Sequence, residues 1–303
     1  MKTIVIAGGS GFLGQSLGRF AQSSGFEVYI LSRTQPQNSF DGWIQWDAQT
    51  MGPWVNSLSR ADVLVNLVGR SVDCVKTPEN IDLIWRSRIE STQLLGKAMA
   101  QLENRPSVWI QMSTAHIYGD SPTAWCDEYS ITGYGLAPDV GRAWEEAHLT
   151  HLPVGMRSVI LRAGFVLGKD GGAYTRMKQV IRLGLGGRIG SGKQGMSWIH
   201  ELDINRMIVH MIEDQQMQGV YVVSSPNPLD KDTFMRQLRK SMHMPIALPA
   251  PEWLTRLGAR LVFKTDPELA LYGRYVRSIR LEKEGFEFTY AHLVDAVHAL
   301  RNG

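Results

Sequence analysis

Three glycines spaced by three, Gly8, Gly11 and Gly14, stand between an apolar run at residues 3–7 and a helix-period run through Leu17, Phe20 and Ala21. This is the setting in which a glycine-rich turn binds a dinucleotide. The first glycine permits the tight turn, the second lets the backbone approach a pyrophosphate, and the third lets the helix pack close to its strand. The helix N-terminus adds free N–H groups and the positive end of its dipole. Gly8, Gly11, Phe12, Leu13 and Gly14 are therefore expected to hold a pyrophosphate. The next apolar run, residues 26–31, ends in Ser32-Arg33. An acid there would accept from a ribose 2′-hydroxyl, whereas a hydroxyl and a guanidinium suit a 2′-phosphate. The expected cofactor is NADP(H) rather than NAD(H), the alternative being that Arg33 is a plain surface residue.

The elements that must position this loop alternate along the chain. Continuous apolar runs at residues 3–7, 26–31, 63–67, 108–112 and 158–161, with a weaker one at 43–46, read as strands. Helical segments at 53–59, 81–102 and 140–149 separate them, and residues 120–138 form a long polar excursion. Apolar strands interleaved with helices predict a parallel sheet covered on both faces. The expected class is α/β, a Rossmann-type doubly wound parallel sheet with a smaller C-terminal substrate-side lobe. The core spans residues 1–165, with returns to the sheet around 196–225. Residues 166–303 form the smaller lobe, and 245–303 a C-terminal segment of their own. In that fold Leu67 and Val68 fall on the adenine-ribose side, with Thr114 and Val166 near the nicotinamide.

Composition excludes several classes. In 303 residues, 44% hydrophobic and 20% charged, there is room for a large core and no sign of extended disorder. The formal charge of +3 gives no basis for a nucleic-acid or membrane surface. Cys74 and Cys126 belong to no CxxC or Cys/His cluster, so no disulfide framework and no metal site are expected. With no leader-like N-terminus and no apolar run long enough to span a bilayer, the expected location is the cytoplasm.

The GxxGxxG spacing, Asn66-Leu67-Val68-Gly69, and Ser113-Thr114-Ala115-His116-Ile117-Tyr118-Gly119 resemble the extended short-chain dehydrogenase/reductase superfamily, which includes nucleotide-sugar epimerases and dehydratases. A closer resemblance is to an atypical epimerase-like branch with a C-terminal domain of unknown function. It rests on Ser87-Arg88 with Thr92, on residues 161–172, and on the glycine-rich segment 184–194. Ser197-Trp198-Ile199-His200 with Asp203, and Gly285-Phe286-Glu287-Phe288, extend it along the chain. The resemblance implies a retained dinucleotide site with altered or absent catalytic groups.

In the wider superfamily a Tyr, made acidic by a Lys four residues later, assists hydride transfer together with a Ser or Thr and an Asn. Here the Tyr and Lys positions fall near Ala137 and Gly141, and the Asn position near Arg88, leaving Thr114 in place. Proton transfer would then pass to another residue, with Tyr118, His116, Tyr134 and Lys193 as candidates. Thr114 and Tyr118 are carried forward as catalytic, the alternative for Tyr118 being a packed aromatic with its hydroxyl tied to backbone and for His116 and Lys193 a solvent-facing polar group. Arg88 is expected on the cofactor side, gripping a phosphate or an anionic substrate, unless it pairs with Asp82 or Glu90.

Asp203 reads as a helix N-cap and His200 as its packed or capping neighbour. Arg256, Arg260, Lys264, Arg274, Arg277 and Arg280 suit either an anionic ligand or a solvated helix face. Two functions follow. One is an NADP(H)-binding, epimerase-like oxidoreductase acting on a small molecule, for which the resemblance suggests a nucleotide sugar. The other is a non-catalytic NADPH-binding regulatory protein that acts through a protein partner. A homodimer is left open in both.

Overall fold

The computed structural model describes residues 1–244 and 246–302. Pro245 and Gly303, the first and last residues of the segment expected at 245–303, lie outside the described residues. Seven strands, β1 (Thr3–Ala7), β2 (Glu27–Ser32), β3 (Gly42–Gln45), β4 (Val63–Asn66), β5 (Val108–Thr114), β6 (Arg157–Ala163) and β7 (Gly219–Val223), form one sheet. The order is β7-β6-β5-β4-β1-β2-β3, and every pairing is parallel. The chain winds outward from β1 on both sides. The resulting switch point lies between β1 and β4, at whose carboxyl ends such sheets bind ligands.

Side-chain alternation builds a core on each face. Ile4, Ile6, Val28 and Ile30 pack with Leu17 and Ala21 of helix α1 (Phe12–Ser23). Val5, Ala7, Leu64 and Trp109 pack on the other face with Leu94, Leu95, Ala98 and Met99 of α2 (Pro78–Ala100). Each fully buried Leu or Ile contributes roughly 1.5–3 kcal/mol, which makes the sheet a rigid platform for the loops at its ends. Pro78 occupies the first turn of α2, where no N–H is needed, and Thr77 caps it by accepting from the Asn80 N–H at 3.2 Å.

The smaller lobe has a third core. Leu167, Tyr174 and Ile181 meet Phe234, Leu238, Ala296 and Val297. These come from the strand Phe165–Gly168 and from helices that follow α3 (Leu136–Thr150): α4 (Gly172–Arg182), α6 (Lys231–Ser241) and α8 (Leu293–Asn302). Between them the chain returns to the main body through the strand Trp198–His200, α5 (Glu201–Glu213) and β7. Helix α7 (Glu252–Leu261) lies outside all of these cores. Among the described residues no helix is long and apolar enough to cross a membrane.

Two local expectations are corrected. Within the expected polar excursion, the strand Ser121–Cys126 pairs in parallel with Arg274–Val276, and α3 begins at Leu136. That strand is short and mostly exposed, and its partner lies far along the chain, so no local periodicity betrays it. The N-cap of α5 is His200, whose Nδ1 accepts from the Leu202 N–H at 3.0 Å. Asp203 instead accepts from the N–H groups of Thr289 and Tyr290, at 2.7 and 2.9 Å, and so ties down the C-terminal segment.

Candidate functional site

The glycine loop leaves β1 with Gly8 at φ +78°, a conformation that favours glycine. A Cβ there would lie 2.9 Å from the Val68 nitrogen and 3.0 Å from the Leu67 carbonyl carbon. Leu67 and Val68 therefore form the wall beside the loop, at the end of β4. Gly14 packs directly on the backbone of Gly9, with no room for a side chain. Gly11 differs, because the only atom near a Cβ there would be the Gly8 carbonyl oxygen, at 3.4 Å. It is the N-cap of α1, without a side-chain cap, and the first turn holds no acidic residue. An open N-terminus of this kind, with its first N–H groups claimed by no side chain, fits a pyrophosphate.

Phe12 contributes to that loop through its backbone, because its ring is used elsewhere. It fills a hollow formed by Gly168, Gly171 and Gly172, where a Cβ on Gly171 would come within 2.7 Å of the ring. Leu13 is half-buried against the first core. Ser16 fastens the same helix by donating to Glu201 at 2.7 Å, while Glu201 also accepts from the Lys169 N–H at 2.9 Å. Asn205 donates to the Ser16 hydroxyl at 2.9 Å.

At the end of β2 the two expected phosphate ligands part. Ser32 is 2% exposed, donates to the Thr34 carbonyl at 2.7 Å and accepts from the Trp43 indole at 3.1 Å. With its proton engaged, its side chain has none to offer a phosphate. Arg33 is exposed and lines an open cavity of about 550 Å³ with Gln45, Trp46, Asp47, Thr50 and Trp54. Asp47 accepts from the Thr50 hydroxyl at 2.6 Å and from the N–H groups of Thr50 and Gln49. These bonds hold its carboxyl down at about 2. Sequence reasoning did not name this wall. Its signal was Trp46-Asp47 directly after β3, which pairs Gln45 with Ser32.

Thr114 closes β5 beside Ala163 of β6, and its hydroxyl accepts from the His116 N–H at 3.1 Å. Val166 is half-buried and pairs with Ile199 in the short sheet that follows. The His116 ring meets the Phe165 ring edge-on at 5.4 Å. His116 thus packs on Phe165 beyond the end of β5, while Val166, next to Phe165 in its strand, faces the first core.

Tyr118, expected as catalytic, is corrected. It is 3% exposed, donates to the Asp127 carbonyl at 2.6 Å and accepts from Arg162 at 3.0 Å. Burial pushes its phenol up to about 12, despite the neighbouring Arg162. A phenol so held is a structural group and a poor base. Arg162 is itself gripped by Glu145 through two hydrogen bonds, at 2.9 and 2.8 Å, and Ser113 donates to Glu145 at 2.6 Å. Tyr134 is 95% exposed and Lys193 is exposed, so neither stands in for the missing pair. On α3, Gly141 abuts Ile117.

Arg88 does not form the alternative ion pair, since Asp82 and Glu90 both pair with Arg86, at 3.7 and 2.9 Å. Its guanidinium donates to the carbonyls of Ile84 and Arg70 and lies 5.1 Å above the Trp144 ring. Burial lowers it to about 10.

A model of the NAD-dependent epimerase/dehydratase family matches residues 4–224. The epimerase family protein YfhF of Bacillus subtilis is 32% identical over 304 residues, covering 98% of this chain and 97% of that protein. An Arabidopsis thaliana protein described as a chloroplastic epimerase family protein SDR39U1 homolog is 29% identical over 309 residues, covering 98% and 86%. Among solved structures, human epimerase family protein SDR39U1 with NADPH superposes at a TM-score of 0.87 and 28% identity, covering 99% of this chain and all of that one. A Bacillus cereus UDP-N-acetylglucosamine 4-epimerase shares the fold, at a TM-score of 0.77 and 18% identity.

Proposed function

The chain belongs to the NAD-dependent epimerase/dehydratase family, and from that premise we propose that it is an NADP(H)-binding, epimerase-like oxidoreductase acting on a small molecule. The observation that carries the cofactor choice is Arg33, an exposed guanidinium, where an acid would select a ribose 2′-hydroxyl. The likeness to a human protein solved with NADPH supports it.

The open N-terminus of α1 would hold the pyrophosphate and Arg33 the 2′-phosphate. The cavity from Gln45 to Trp54 would receive the adenosine, with Leu67 and Val68 against its ribose. Thr114 and Val166 would flank the nicotinamide, which when bound supplies the hydride. A nucleotide sugar is the substrate class suggested by the family.

A second reading, a regulatory NADPH-binding protein with a protein partner or a second copy of itself, is favoured by one observation. The superfamily's Tyr and Lys positions fall near Ala137 and Gly141, and neither residue can move a proton. The test is to incubate the purified protein with NADPH and a panel of sugar nucleotides and smaller carbonyl compounds, following loss of the reduced-nicotinamide absorbance. Turnover of any member supports the oxidoreductase. NADPH binding with no turnover across the panel supports the regulatory reading.

A further inference from the structure

The apolar surface left in water is concentrated in one place. Among the described residues twenty large apolar side chains are exposed, and nine of them fall in two short segments, residues 182–194 and 246–264. Backbone bonds stitch the segments together. The Leu248 and Ala250 N–H groups donate to the Gly184 and Arg188 carbonyls, at 3.1 and 2.9 Å, and the Gly190 N–H donates back to Ala250 at 3.1 Å. Gly187 lies directly against the Leu248 backbone, so the two segments make one surface.

Helix α7 sets its side chains in columns at four-residue spacing. Thr255 and Ala259 face the protein, and Ala259 is the one buried residue of the helix. Trp253, Leu257 and Leu261 face away, between 49 and 69% exposed. Arg256 and Arg260, both exposed, stand in the column between. Ile246, Leu248 and Val262 add further exposed apolar area. A patch of this extent marks an interaction surface.

The same two segments hold six cations, Arg182, Arg188, Lys193, Arg256, Arg260 and Lys264, against one acid, Glu252. All six are exposed, and among the described residues none has an ion pair. Of the acids that adjoin, Asp232 by Gly192 already pairs with Arg236 at 3.5 Å, and Glu268 acts on Arg256 without an ion-pair contact. The formal +3 of the whole chain conceals this local excess.

The charges decide what can cover the face. A second copy related by a two-fold axis would set α7 against α7, and the Arg256 and Arg260 column would meet its own counterpart. No single counter-charge serves cations spread over two segments, whereas a plane of negative headgroups serves them all.

We propose that this face docks on an anionic lipid surface, with Trp253, Leu257 and Leu261 entering the interface and Arg256 and Arg260 reaching the headgroup phosphates. The inference goes beyond the oxidoreductase reading and does not depend on it. A helix with Trp and Leu on one side and Arg beside them lies in the plane of a membrane surface. Its arginines extend to the phosphates while their stems cover apolar neighbours. Each cation held near an anionic surface adds to the attraction.

Co-sedimentation of the purified protein with vesicles tests this, comparing phosphatidylcholine alone with phosphatidylcholine and phosphatidylglycerol in equal parts. The expected result is binding to the anionic vesicles at least about tenfold tighter than to the neutral ones, falling as salt is raised. Trp253→Gln with Leu257→Gln should weaken it by about tenfold. Arg256→Gln with Arg260→Gln should weaken it and flatten its salt dependence. Gly258→Glu guards against a folding failure. A Cβ there meets nothing within 4 Å and glutamate is the better helix former, so this variant should melt at least as high as the parent. Its carboxylate, beside Leu254 and Leu261, should still weaken vesicle binding by about tenfold.

Equal binding to both vesicle types, or binding unchanged in the variants, overturns the proposal. So does a dimer in light scattering that Gly258→Glu converts to a monomer, because a second copy would then cover the face. A monomeric parent that binds neither vesicle overturns it in favour of an acidic protein partner.

Discussion

Ser16 on α1 donates a 2.7 Å hydrogen bond to Glu201, the first residue of α5, and Glu201 turns its other oxygen to the Lys169 N–H. The helix that opens toward the pyrophosphate is thereby tied to the loop enclosing the Phe12 ring. Glu201→Ala leaves both donors without their acceptor. It should cost about 1–2 kcal/mol in urea unfolding and weaken NADPH binding, because the first turn of α1 loses its support. A change in stability with unaltered NADPH affinity would show that the tie is structural only.

Tyr118 and Glu145 should separate structural from chemical roles. Tyr118→Phe removes a hydroxyl bonded to Asp127 and Arg162, and is expected to cost about 1–2 kcal/mol with NADPH affinity and any turnover retained. Glu145→Ala leaves Arg162 buried and unpaired, and should cost about 3–5 kcal/mol. Chemical denaturation of both variants, alongside NADPH titration, checks the contrast.

The glycines of the loop predict opposite failures. Gly11 faces open space, so Gly11→Ala should fold within about 1 kcal/mol of the parent yet lose NADPH affinity, as its methyl group enters the pyrophosphate's approach. Gly14→Ala collides with the Gly9 backbone and should lower the melting temperature of the protein even without nucleotide. Thermal melts with and without NADPH read both.

Lys231 gives a pH dependence. Its ammonium is lowered to about 8 in the folded chain from an ordinary 10.5, so the unfolded chain binds the proton more tightly. The native state is penalised in full below about pH 8, and stability rises as pH climbs from about 8 toward 10.5. Lys231→Met should be more stable than the parent at neutral pH and lack that rise. Parallel stability curves for the two proteins across this window would contradict the assignment.

Much of the nucleotide half was legible because its signals are local. Strand β1, Gly8, Gly11, Gly14 and the end of β2 follow one another within the first 33 residues, and each glycine has a steric reason visible in the spacing. Leu67 and Val68 follow from the same parallel pattern one crossover later. What stayed hidden depends on partners distant in sequence. The strand Ser121–Cys126 exists because Arg274–Val276 lies beside it. Tyr118 could be read as a catalytic phenol or as a packed aromatic tied to backbone, and only the Asp127 carbonyl and Arg162 decide for the second. Ser32 looked like a phosphate ligand, but Trp43 and Thr34 share its hydroxyl. Arg274 was one arginine in a basic stretch, and only the fold shows it buried while Arg256 and Arg260 lie on α7, at the edge of the molecule.

The measurement closest to the central claim is the pair of dissociation constants for NADPH and NADH, on nucleotide-free protein and on Arg33→Asp. The account predicts that the parent prefers NADPH by at least about tenfold, the worth of one good charge-assisted contact, and that Arg33→Asp loses that preference while still binding NADH. Equal affinities in the parent, or a preference that survives Arg33→Asp, would contradict it.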